Sequence, residues 1–135
     1  VPLGLPEILK EGTDITVVTY GAMVKVVMEA ALQLEGYGIS LEVIDVQTLV
    51  PFDINRMIVN SIKQTNRVIF ADEDVPGGGS AYMMQQVIEK QQGFYWLDSE
   101  PATLTAAAVV FCIVYIGFYT LLGVSLPINP LWMRE

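Results

Sequence analysis

The stretch Arg67-Val-Ile-Phe-Ala-Asp-Glu-Asp-Val-Pro-Gly-Gly-Gly-Ser-Ala-Tyr-Met-Met-Gln-Gln86 decides the fold. Val68 to Ala71 is an apolar run of strand length, and it feeds an acidic, glycine-rich turn that opens an amphipathic helix near Ser80. Strand, tight turn, helix is the repeating unit of an open α/β sheet, and ligands or partners meet such sheets at loops leaving the carboxyl ends of strands. The turn residues Asp72, Glu73, Asp74, Gly77, Gly78 and Gly79 are therefore the candidate functional residues. Glycines here can take positive φ or let another backbone come close, and Ser80 is suited to cap the helix. A helix N-terminus attracts anions, but the three carboxylates would repel a phosphate. The spacing matches neither the Walker pattern nor G-x-G-x-x-G, and the acids do not alternate as calcium-loop ligands do. Two readings remain for the turn: a solvated cap, or a docking surface for a basic partner.

Outward from this turn the same unit repeats. Ile15 to Thr19 reads as a strand, Tyr20 and Gly21 as a turn, and Ala22 to Glu35 as a helix whose polar stripe is Lys25, Glu29 and Gln33. Gly36 and Gly38 end that helix. Ile39 to Val46 is the next strand, with Ile39, Leu41 and Val43 on one face and Ser40 and Glu42 on the other. Asp53 is placed to cap a helix carrying Ile54, Met57, Ile58 and Ile62. Met83, Met84, Val87 and Ile88 recur at helical spacing, which favours core filling over a binding stripe. Phe94 to Leu97 is expected to be a fourth strand, and residues 1–14, rich in Pro and Gly, an arm laid over the surface. The alternation implies a mostly parallel sheet in a three-layer α/β/α domain.

Composition narrows the function. The 135 residues suit one domain with a proper core, and a net charge of −8 with only seven basic residues argues against nucleic acid as a partner. There is no histidine, the commonest general base and metal ligand, and Cys112 is the single cysteine, so neither a self-contained triad nor an internal disulfide is available. The chain opens on Val1 and reads as a piece of something longer.

Four stretches read together resemble a known family. They are the opening Val1-Pro-Leu-Gly4, Ile8 to Val18 with Tyr20-Gly21, Asp45-Val-Gln-Thr-Leu-Val-Pro-Phe-Asp53, and the Asp72-Glu-Asp-Val-Pro-Gly-Gly turn. Residues 1–105 resemble the carboxy-terminal domain of the transketolase superfamily, most nearly the beta part of the decarboxylase component of pyruvate or branched-chain 2-oxo acid dehydrogenases. The resemblance implies an oligomerisation and docking domain, in a dimer or heterotetramer with the remaining domains or the alpha part, offering a surface to the dihydrolipoyl acyltransferase core. Thiamine diphosphate and magnesium belong to the full enzyme; the groups that hold and activate them lie on other domains. No catalytic, cofactor-binding or metal residue is carried onto this chain, which is not expected to be active or to bind the cofactor alone. Many relatives have arginine where Gln47 stands, and several have histidine near Asp72 to Asp74.

Residues 106–135 depart from the family. No charge occurs from Pro101 to Met133, and Ala106 to Leu126 as a helix would reach roughly 31 Å at about 1.5 Å per residue, enough to cross a hydrocarbon core. A transmembrane anchor, a buried helix or strand pair, and a non-native extension are the three readings of this tail. The expected location is the cytoplasm or an organelle matrix, with membrane association if the tail inserts. The alternative function is a membrane-tethered interaction module that keeps the fold without the enzyme.

Overall fold

A computed structural model describes residues 3–73 and 78–105. Its strands are β1 (Glu7–Lys10), β2 (Ile15–Thr19), β3 (Leu41–Asp45), β4 (Val68–Asp72) and β5 (Ala102–Thr105). Helices α1 (Met23–Glu35), α2 (Met57–Thr65) and α3 (Gly79–Met84) connect them, and α3 continues as a π-type turn over Gln85–Lys90. The sheet order is β1-β3-β2-β4-β5; β1 runs antiparallel to β3 and the other pairs are parallel. The fold is thus α/β with a mixed, mostly parallel sheet.

Because successive residues of a strand face opposite sides, the two faces have separate cores. On one, Val18, Ile44 and Phe70 pack with Ile58, Val59 and Ile62 of α2 and with Met83 and Val87. On the other, Val17, Val43 and Ala71 pack with Met23, Val27, Ala30 and Ala31 of α1. The fully buried Ile58 and Ile62 each contribute about 1.5–3 kcal/mol by leaving water. The methionine spacing is core filling, as the periodicity predicts: Met83 is buried, and Met84 and Ile88 pack against the same cluster.

Three local expectations are corrected. The opening arm contains a strand, β1, whose pairing slips between Ile8 and Lys10, which obscures its alternation. Gly93–Trp96 is a 3₁₀ turn, not a strand: Gln92 turns in the left-handed region, and Phe94, Tyr95 and Trp96 are exposed, so the fifth strand forms later, at Ala102. At the end of α1 the left-handed residue is Gly38 (φ 83°), whereas Gly36 remains helical (φ −64°). The expected spanning segment 106–126 lies outside the described residues, among which no helix is long and apolar enough to cross a membrane.

Candidate functional site

From β2 the chain crosses by α1 to β3 on one side, and from β4 it crosses by α3 to β5 on the other. The strand order therefore reverses between β2 and β4, and the crevice at their carboxyl ends is the place where such sheets accept ligands. Tyr20, following β2, and Asp72, ending β4, both reach it. A Cβ added to Gly79 would come within 2.3 Å of the Tyr20 hydroxyl and 2.7 Å of Asp72 Oδ2, so the glycine lets these two side-chain ends approach the helix start closely.

Asp72 is only 3% exposed, and its Oδ2 accepts the Ser80 backbone N–H at 3.1 Å. Helix α3 is thus capped from the preceding strand. Ser80, expected to be the cap, lies inside the first turn and is buried. Of the candidate residues, Glu73 is exposed, Gly78 and Gly79 are half-buried, and Asp74 and Gly77 lie outside the described residues. The geometry makes Asp72 a structural carboxylate and leaves Glu73 as the charge turned outward.

A second surface was legible in sequence as a family motif but not as a geometry. Asp45 to Asp53 leads from β3 towards α2 through a cis Val50–Pro51 peptide, with Gln47, Asp53 and Arg56 in the left-handed region. Asp45 accepts the Gln47 backbone N–H at 3.1 Å, and Gln47 Nε2 donates to Glu7 Oε2 at 3.1 Å, so the glutamine ties this connector to the edge strand. Burial raises the Asp45 carboxyl above its ordinary range, with Glu7 adding to the rise and the Gln47 amide opposing it. Asp53 is buried, and its two oxygens accept the Met57 and Ile58 amides at 2.9 and 3.2 Å, so it caps the helix as expected; the helix begins only at Met57, however, with Arg56 at its N-cap position, and the expected Ile54 lies outside it. Desolvation nevertheless wins over those donors and raises the Asp53 carboxyl too.

The opening arm closes on this connector: Ile54 donates its N–H to Gly4 O at 3.0 Å, and Gly4 sits against Pro51. Beside that contact Leu3, Val50 and Ile54 are 72%, 77% and 61% exposed.

Asp72 and Glu73, the described carboxylates at the end of β4, are acceptors that would repel rather than hold the diphosphate of a thiamine diphosphate. Among the described residues no group of three His, Cys, Asp or Glu could hold a metal ion.

Residues 4–111 match the family model described as the transketolase C-terminal domain, reaching slightly past Thr105. The beta subunit of the pyruvate dehydrogenase E1 component of Acholeplasma laidlawii is 37% identical over 106 residues, which is 78% of this chain and 32% of that protein. The mitochondrial 2-oxoisovalerate dehydrogenase subunit beta 2 of Arabidopsis thaliana is 32% identical over 120 residues, or 88% of this chain and 33% of that protein. The chain thus spans about a third of the length of these curated relatives. Among solved structures, a split-gene transketolase described as an inactive beta4 tetramer superposes with a TM-score of 0.67 at 27% identity, covering 84% of this chain and 41% of that one.

Proposed function

Since the chain belongs to the transketolase C-terminal domain family, we propose that it is the non-catalytic oligomerisation and partner-docking domain of a thiamine diphosphate-dependent 2-oxo acid dehydrogenase. The assembled enzyme would carry out oxidative decarboxylation of pyruvate or branched-chain 2-oxo acids, in the cytoplasm or an organelle matrix. Relatives named as E1 beta subunits support the reaction class. The single structural observation that carries the oligomerisation role is the exposed apolar group Leu3, Val50 and Ile54 on a connector pinned by the arm and by Asp53. The outward Glu73, with Asp74 beside it in sequence, supports docking of a basic segment of the acyltransferase core.

The test is light scattering and decarboxylation assay of the assembled component carrying Ile54→Asp. We expect the assembly to fall to smaller species and turnover to be lost with it, while the substituted chain keeps its circular dichroism spectrum. An assembly of unchanged mass would defeat the role given to this surface. For docking, reversal of Glu73 and Asp74 to lysine should weaken capture by the acyltransferase core at low salt; unchanged capture would remove that part. The second reading, a membrane-tethered module, draws on the uncharged stretch 106–126 alone, and recovery of the chain only in detergent extracts would favour it.

A further inference from the structure

At the opposite, amino end of the sheet a cleft of about 620 Å³ opens between α2 and the β1 edge. Its floor is Glu42, and its rim includes Glu11, Asn60 and Gln64, with Ile8 and Met57 as apolar walls. Among the described residues no Lys, Arg or His lines it.

Glu42 is the unusual group. It sits on β3 opposite Thr16 of β2, on the face covered by α2, and is 5% exposed. Neither ion pair between described side chains, Lys10–Glu35 and Arg67–Asp98, involves it. Ser61 of α2 donates its hydroxyl to Glu42 Oε2. Because a carboxylate can only accept, the neighbouring bonds acquire a direction: Thr16 donates to Ser61 Oγ at 2.7 Å, and Thr65 to Thr16 Oγ1 at 2.6 Å. Three hydroxyls, Thr65, Thr16 and Ser61, are thereby aligned as dipoles towards a single negative charge. Among the described residues the other oxygen, Oε1, receives only the long 3.5 Å approach of the Gly12 N–H. A buried carboxylate is ordinarily matched by a cation, since its desolvation is costly. Among the described residues no ion pair matches this charge, and an open cleft of ligand size stands over the site.

We propose that this cleft binds an organic cation, an ammonium or guanidinium group held on Glu42 with its alkyl stem lying along Ile8 and Met57. The paired donors of a guanidinium, or the three of an ammonium, supply what Oε1 and the rim amide oxygens of Asn60 and Gln64 accept. The absence of a metal-type cluster among the described residues points to an organic cation over a metal ion. The inference is independent of the assembly role, because the cleft and the Leu3, Val50 and Ile54 surface share no residue.

The experiment is a titration of the full chain followed by amide NMR, with agmatine as the free cation, a blocked arginine amide as the side-chain form, and a neutral alkyl amide of similar length as control. We expect saturable shifts at Gly12, Ser61 and Gln64 with the cations and none with the neutral amide. Stronger binding of agmatine would identify a free amine as the ligand, and stronger binding of the blocked arginine a protein side chain. Glu42→Gln should weaken the cation by at least about tenfold. In case that variant folds poorly, Gln64→Lys, at an exposed rim position, places a tethered ammonium over the cleft and should abolish cation binding while raising the unfolding midpoint. No saturable shifts, equal binding of the neutral amide, or a Gln64→Lys chain that binds as the natural one does would overturn the proposal.

Discussion

The two ends of the parallel sheet each bury a carboxylate, and they treat it differently. At the carboxyl end Asp72 lies under Gly79 and accepts the Ser80 amide, so the negative charge meets the first turn of α3 and its partly positive N–H groups. At the amino end Glu42 faces a row of hydroxyls and a long backbone approach. A charge embedded in helix amides is finished structure. One supported only by hydroxyl dipoles under an open cleft has capacity left for a ligand.

The largest effect expected from this contrast concerns the glycine beside each carboxylate. A Cβ on Gly12 would lie 2.2 Å from the Leu41 carbonyl carbon and 2.5 Å from the Glu42 amide nitrogen, both backbone atoms of β3 that can yield only by moving the strand. A Cβ on Gly79 would meet the tips of two side chains, Tyr20 and Asp72. Gly12→Ala should therefore cost about 3 kcal/mol or more, and Gly79→Ala about 1–2 kcal/mol, read from urea unfolding midpoints. Equal losses would mean that the carboxyl end is as rigidly closed as the amino end.

Next in size is the cap itself. Asp72→Ala removes an acceptor from an N-terminal amide of α3 and should destabilise the chain by about 1 kcal/mol, within the usual range for lost caps. Asp72→Asn, which keeps one oxygen, should recover part of that. If the alanine variant unfolds at the same midpoint as the natural chain, the carboxylate is not serving as a cap and the contrast with Glu42 fails.

The sequence exposes the carboxyl end far better than the amino end, for a physical reason. A strand, acids, glycines and a helix in immediate succession are a local pattern, so β4, its turn and α3 follow from neighbours in the chain. The α1 and α2 periodicities are local in the same way. The cleft is assembled from residues far apart in sequence, Gly12, Glu42 and Ser61, whose only local trace is a polar residue on the inner face of a strand covered on both sides. Glu42 alternating with Leu41 and Val43 was that trace. Ser61 and Thr65, one helical turn apart on the buried side of α2, were a second. The 3₁₀ turn at Gly93–Trp96 was hidden by composition: Phe94, Tyr95 and Trp96 favour strands, yet Phe94 and Tyr95 stack on each other and Lys63 lies over Trp96.

The smallest effect sharpens the comparison with a third buried carboxylate. Asp53, on the connector after β3, accepts two amides, yet burial leaves its carboxyl raised. A raised folded-state value means that the native chain holds the proton more tightly than the unfolded chain. The associated stability is complete below the unfolded carboxyl range, near about pH 4, and is lost as pH rises through the folded value. Asp53→Asn removes that titration while losing one amide acceptor, so the two chains should differ by less than about 1 kcal/mol near neutrality. The readout is the slope of unfolding free energy against pH from about 4 to 7: the natural chain should lose stability more steeply than the variant. Some slope should persist in the variant, since Asp45 is raised by burial and by Glu7 as well, and Asp45→Asn in the same background should flatten it further. Parallel profiles for all three chains would show that the amide donors offset burial completely at Asp53.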